Sequence, residues 1–225
     1  GYFPRPMSAL VEVFAVPPLG CNCTIVGDAE TKEAVVVDPG GDVSKIMARL
    51  QAKGLTCKRI LITHGHLDHI LGGRELKEKT GAEIVMHADD LFLYERVGEQ
   101  CDDFGVPRPA AALPKPDAFV ADGDTFALGS IGVKCIHCPG HTPGSTAYLF
   151  DQAQLCCPGD TLFRGSIGRT NWMGIPSLQG TSDSQQIVGS IKSKLLALPS
   201  ETRVVSGHGE VTTIGDEQAD NPYLH

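Results

Sequence analysis

The segment Thr63-His64-Gly65-His66-Leu67-Asp68-His69 places four metal-ligating side chains within six residues, between an apolar run ending at Ile62 and a pattern that predicts a helix. In extended backbone, residues two apart point to the same side, so His64 and His66 aim both imidazoles at one point. Asp68 and His69 fall where the chain turns and face a second point nearby. Four donors in this arrangement suit two adjacent metal ions better than one. The alternative is a solvated, histidine-rich turn, and the remainder of the chain decides between the two.

Three further donors recur in one context. His141 lies in Pro139-Gly140-His141-Thr142-Pro143-Gly144, Asp160 in Pro158-Gly159-Asp160-Thr161, and His208 in Ser206-Gly207-His208-Gly209. Each sits at a predicted strand end beside glycine, where backbone can crowd close to an ion. Any one alone reads as a structural turn residue; three together, in a chain that already holds the histidine-rich loop, read as the missing ligands. Asp38, after Val35-Val36-Val37, is a turn residue placed to hydrogen-bond the histidine loop from behind. His87, His137 and His225 have no such context and are read as non-ligands.

The apolar periodicity predicts strands over 9–16, 22–26, 34–37, 59–62 and 83–86, with helices over 42–53, 71–79 and 89–97. A proline-bearing excursion over 101–118 follows, and 119–122 and 125–128 flank a hairpin-type turn at Gly123-Asp124. Strands over 131–137, 145–150 and 154–157, a helix over 184–196 and a strand over 203–205 complete the pattern. The order is β-rich, αβ, β-rich, αβ. Two such halves, each a sheet with helices outside, make an α/β fold of four layers, an αββα sandwich. It is read as one domain spanning 1–225, with residues 1–6 a tag or trimmed leader.

Composition narrows the function. With 19 basic against 27 acidic residues the 225-residue chain carries a formal charge of −8, which disfavours a nucleic-acid partner because polyanion affinity needs concentrated Lys and Arg. No run approaches the ~20 apolar residues that span a bilayer, so no membrane partner is expected. The chain is read as cytoplasmic, or organellar if residues 1–6 are a transit-peptide remnant. The eight cysteines are expected to be reduced. Cys135-x-x-Cys138 has redox or zinc-ribbon spacing but lies in a predicted strand with no second such pair, so most thiols are read as small buried hydrophobes.

Taken together, the histidine loop, His141, Asp160 and His208 resemble the metallo-β-lactamase superfamily in order and context, from Ala9 to the C-terminus. That resemblance implies an αββα sandwich in which His64, His66 and His141 hold one divalent ion, Asp68, His69 and His208 hold another, and Asp160 bridges them. Zinc, iron and manganese all suit such donors. The stretches Gly159 to Thr170 and Ser206 to Gly215 are similar to the short glyoxalase II enzymes, the hydroxyacylglutathione hydrolases. This implies hydrolysis of a small-molecule thioester such as S-lactoylglutathione, with Asp68 and Asp160 as catalytic residues and Arg169, less so Arg164, as a substrate-binding cation. β-Lactamases of the superfamily generally lack the carboxylate at Asp160. Longer glyoxalase II enzymes grip glutathione with a C-terminal helical domain and with tyrosines where this chain has Asn171 and Glu210, so exclusive recognition of glutathione does not carry over. The alternatives are a mononuclear-iron persulfide dioxygenase using His64, His141 and Asp160, a lactone or phosphodiester hydrolase, and a non-catalytic metal-bound interaction protein.

Overall fold

The computed structural model describes residues 9–225; the origin of residues 1–6 lies outside the described residues. The first half of the chain alternates strands and helices: β1 (Ala9–Val16), β2 (Cys21–Asp28), β3 (Glu33–Val37), α1 (Val43–Ala52), β4 (Thr56–Leu61), α2 (Leu67–Ile70), α3 (Gly73–Thr80), β5 (Glu83–His87), α4 (Leu91–Glu95), α5 (Val97–Asp103) and β6 (Ala118–Val120). Its strands form one sheet in the order β1-β2-β3-β4-β5-β6, antiparallel from β1 to β3 and parallel from β3 to β6.

The second half contributes β7 (Thr125–Leu128), β8 (Ile131–His137), β9 (Thr146–Phe150), β10 (Leu155–Cys157), β11 (Leu162–Phe163), β12 (Ser166–Ile167), α6 (Ser184–Ser190), β13 (Arg203–Val204), β14 (Thr212–Thr213) and α7 (Ile214–Asp220). The second sheet runs β14-β13-β10-β9-β8-β7, and β11 and β12 form a small hairpin of their own.

Strand alternation builds four layers from these two sheets. In β3, Val35 and Val37 face the second sheet while Ala34 and Val36 face the helices. Leu61 and Val85 likewise turn inward to meet Val133, Cys135, Tyr148 and Phe150, and Ile60, Ile84 and Met86 turn outward onto Ile46, Leu50 and Leu76. On the far side, Ile136, Ala147, Leu149 and Cys156 pack against Ile187, Ile191 and Ile214. Three apolar clusters thus separate helices, sheet, sheet and helices, as the element order predicts.

The same alternation disposes of the cysteine motifs. Cys135 belongs to the cluster between the sheets and Cys138 to the cluster beneath α6; Cys156 and Cys157 divide the same way. All eight thiols are free and buried, and burial pushes Cys57, Cys135, Cys138 and Cys157 up to about 12. No two of them are bonded to each other.

Several sequence expectations change. The helix expected over 71–79 is α3, Gly73–Thr80, and a separate helical turn, α2, precedes it because Leu67 and Ile70, three apart, both bury in the core; Asp68 and His69 therefore stand on a helical turn. The excursion expected over 101–118 opens as helix, since Cys101 is buried and ends a run that begins at Val97. Gly123-Asp124 is not a hairpin turn: β6 closes the first sheet and β7 the second, so 121–124 crosses between sheets, held by Ala121 N–H donating to Asp124. The β11–β12 hairpin and α7, too short to show apolar periodicity, were not expected. Among the described residues no helix is long and apolar enough to cross a membrane.

A buried polar contact ties β9 to the end of β4: Tyr148 donates from its hydroxyl to the carbonyl of Ile62 at 2.8 Å, just before the histidine loop. Tyr148→Phe is expected to lower stability by about 1–3 kcal/mol, the cost of leaving the buried Ile62 carbonyl without its donor, measured by urea denaturation.

Candidate metal centre

The strand ends converge. β4 runs into the histidine loop, β3 into Asp38, the β8–β9 connection carries His141, β10 leads to Asp160, and β13 leads to His208. All seven sequence-predicted donors meet at this edge of the sandwich. His64, His66 and His141 each offer one nitrogen within 4.8 Å of the others; Asp68, His69 and His208 do the same. Asp160 Oδ2 lies between the groups, 3.7 Å from Nε2 of His64, His141 and His208 and 3.3 Å from Nε2 of His69. His141 Nε2 is 3.1 Å from His66 Nδ1, and His208 Nε2 is 2.9 Å from Asp68 Oδ2.

These spacings are those of donors around an ion. With metal–nitrogen bonds of ~2.0–2.1 Å in a tetrahedral site, neighbouring ligand atoms stand ~3.3 Å apart. The donors also lack internal partners: the buried Nε2 atoms of His64, His66 and His69, and Asp160 Oδ1, have no hydrogen bond. Orphaned buried polar atoms are costly, and the bare Nε2 atoms of His64 and His69, both facing Asp160 Oδ2, fit a pair of cations. The His and Asp clusters therefore fit a dinuclear site.

Hydrogen bonds behind the rings set their tautomers. Asp38 is the hub. Its Oδ2 accepts from His69 Nδ1 at 2.8 Å and from the Thr63 hydroxyl at 2.6 Å, and its Oδ1 accepts from the Thr63 N–H at 2.8 Å. The Thr63 oxygen, having donated to Asp38, accepts from His64 Nδ1 at 2.9 Å. His141 Nδ1 donates to the Arg169 carbonyl at 2.7 Å. Each ring keeps its Nε2 lone pair for the centre.

Charge follows the same plan. Burial holds His64 and His66 well below the ordinary imidazole range, helped by His69 and His141 respectively, so both rings are unprotonated and able to ligate. Burial would raise Asp160, but His69, His64 and His141 pull it well below the usual carboxylate range. Burial would lower His69, yet Cys21, Asp68, Asp160 and Asp38 raise it; the carboxylates that favour a proton there favour a metal cation for the same Coulombic reason. Gly207 permits the close packing: a Cβ there would stand 2.0 Å from Asp160 Oδ1 and 2.7 Å from His69 Cε1.

Above the donors opens a cavity of about 210 Å³, walled by Leu19, Leu67, Phe104, Phe163, Trp172 and Leu178, with Arg169 at its side. Arg169 is held in place, Nε donating to the Asn171 carbonyl at 2.6 Å and the guanidinium 4.6 Å from the Trp172 ring centre. Trp172 lines the mouth, and Phe104 represents the excursion there. Leu19, Phe104 and Leu178 come from separate loops and carry no motif, so the sequence held no signal for them. Arg164 pairs with Glu210 on the exposed surface and does not line this cavity. His87 and His137 stack at 4.0 Å with planes 13° apart, near Asp89; near-parallel planes cannot both contain one ion, which agrees with reading them as non-ligands.

The comparisons with known proteins point the same way. The sequence signature of the Metallo-beta-lactamase superfamily matches residues 16–208. The chain is 36% identical over 216 residues to the hydroxyacylglutathione hydrolase GloC of Haemophilus influenzae, covering 96% of this chain and 98% of that protein. Among solved structures it is similar to the BLEG-1 B3 metallo-β-lactamase (TM-score 0.85, 31% identity, 96% of this chain and 99% of that one). It is also similar to TTHA1623 in a di-iron-bound form (TM-score 0.83, 34% identity, 95% and 100%). The chain belongs to the metallo-β-lactamase superfamily.

Three donors surround the Asp38 carboxylate, so an amide there would turn an N–H₂ toward another N–H or O–H. Asp38→Asn is expected to weaken metal binding about 10- to 100-fold, measured by chelator competition.

Proposed function

We propose that the chain is a dinuclear metallohydrolase that cleaves small-molecule thioesters of the S-lactoylglutathione type, releasing a hydroxy acid and a free thiol. His64, His66 and His141 would hold one ion, Asp68, His69 and His208 the other, and Asp160 would lie between them. Bound there, two divalent cations supply a water that ionises near neutral pH and polarise the carbonyl it attacks.

The observation that carries the thioester reading is what else lines the cavity. Among the described residues, its only charged side chain outside the seven donors is Arg169, which donates protons in hydrogen bonds but does not give them up. Among those residues no free general acid stands ready for a leaving group. An amine expelled from an amide or lactam needs a proton, whereas a thiol of pKa ~8.5 leaves readily as the thiolate near neutral pH. The hydroxyacylglutathione hydrolase relative supports the same chemistry, and the di-iron neighbour supports a two-ion centre while leaving zinc, iron and manganese as candidates.

The other residues have definite parts. Asp68 and Asp160 offset the ions' charge, and Asp68 faces the cavity where it can orient the attacking water. Trp172, Phe104 and Leu178 exclude bulk solvent, which strengthens every charge interaction inside. Arg169, rigidly stacked, presents its remaining N–H groups to a carboxylate of the thiol carrier.

Metal analysis together with thiol release from S-lactoylglutathione and other acyl thioesters tests the reading, with a β-lactam as comparator. Close to two ions per chain and thioester cleavage are expected. A fully loaded protein that cleaves no thioester overturns the proposal, as does a single iron with oxygen uptake on glutathione persulfide. Asp160→Ala is expected to lower kcat/KM by at least ~100-fold with loss of bound metal. Arg169→Ala is expected to raise KM for the glutathione thioester with kcat nearly unchanged, the pattern of lost uniform binding.

A further inference from the structure

Asp90 follows β5, belongs to no motif, and is fully buried. Its carboxylate is surrounded only by donors. Oδ2 accepts from Gly65 N–H at 2.9 Å and from the Thr142 hydroxyl at 2.6 Å, and Oδ1 accepts from Gly144 N–H at 2.5 Å. Gly65 stands between His64 and His66, and Thr142 follows His141. One side chain therefore ties together the two loops that carry all three imidazoles of one donor group.

The close approach has left its mark on both loops. A Cβ at Gly144 would lie 2.7–2.8 Å from Asp90 atoms, and one at Gly65 would lie 2.9 Å from Leu93 Cβ and 3.0 Å from the Asp90 carbonyl oxygen. The helical segment after Asp90 grips the same loop again. Gln100, also fully buried, donates to the Gly65 carbonyl at 3.0 Å and accepts from Leu67 N–H at 3.0 Å. The peptide groups on both sides of His66 are thus held from one scaffold.

The other donor group is supported elsewhere. His69 rests on Asp38, and the His208 loop is held by Asn22, whose side chain donates to the Ser206 and Gly209 carbonyls and whose N–H donates to Gly207. Asp38 is shared, since it also reaches His64 through Thr63, but the Asp90 carboxylate bonds only to the loops of the three-imidazole group and the Asn22 side chain only to the His208 loop.

We infer that Asp90 is a positioning residue whose carboxylate sets the distance between the His64–His66 loop and His141, and so selectively governs metal affinity at the three-imidazole group. The inference rests on the metal-centre reading above. Because every neighbour is a donor, the role needs a carboxylate: an asparagine turns an N–H₂ toward an N–H or a hydroxyl whichever way it sits. Burial pushes Asp90 up to about 6, against the pull of Thr142, Gly65 and Gly144, so it is still ionised at neutral pH.

The test is stepwise cobalt(II) binding by chelator competition, with absorption spectra, on the full chain and its Asp90→Asn, Thr142→Val and Thr142→Ser variants. His141→Ala and His208→Ala mark the signatures of the two groups. Thermal unfolding of each metal-free protein reports on folding separately. In Asp90→Asn one of the two binding steps is expected to weaken about 10- to 100-fold, leaving the spectrum of His141→Ala and not that of His208→Ala. Equal weakening of both steps, or two steps at the original affinity, overturns the inference. If Asp90→Asn does not fold, the Thr142 pair decides. A weakened three-imidazole step in Thr142→Val, restored in Thr142→Ser, supports the role of Asp90; no change in either overturns it. Failure of the unsubstituted protein to bind cobalt would instead remove the metal-centre reading itself.

Discussion

Seven nitrogen and oxygen donors crowd one end of the sandwich with almost no hydrogen bonds among themselves to satisfy them, and the surrounding structure is organised around tolerating that crowding. Bare lone pairs and a carboxylate in a buried site repel or remain unpaired unless cations occupy the space between them. The fold holds them apart from behind: Asp38 fixes His69 directly and His64 through Thr63, the Arg169 carbonyl fixes His141, and Asp90 fixes the loops. In His64, His69 and His141 the outward-facing nitrogen has a partner that dictates that Nε2 stays bare toward the centre.

The layered packing makes this possible. Each donor hangs on the end of a strand whose other residues are locked between apolar clusters, so the loops start from rigid points. Glycine then lets those loops close to distances that a Cβ would forbid, as at Gly207 against Asp160. Among the described residues the cavity over the centre is lined by apolar side chains apart from the donors and Arg169, which makes it a place where charge is strongly felt.

Much of this was legible along the chain. Short β-rich apolar runs located most of the long strands, and the motif glycines flagged the three distant donors. Asp38 was visible because it ends an apolar run. Short elements were the weak point: β11, β12 and α7 are too brief to show a period, and the turn at Gly123-Asp124 has hairpin chemistry although its strands part into different sheets. The helical turn at Leu67–Ile70 was missed because a polar, histidine-rich string hides two buried residues three apart. Asp90, Gln100 and the wall residues Leu19, Phe104 and Leu178 were invisible, since each acts on a residue far away in sequence.

Local chemistry is therefore what the amino-acid order determines by itself: which residues are donors, which stretches are strands, and that the chain has enough apolar surface for layers on both sides of two sheets. The tertiary structure alone decided which donors share a point, that Arg164 turns to Glu210 while Arg169 turns to the cavity, and that a single buried carboxylate joins two loops. The reason is physical. Periodicity and turn propensity act between near neighbours, whereas distances between side chains on different loops are set only when the strands beneath them are packed face to face.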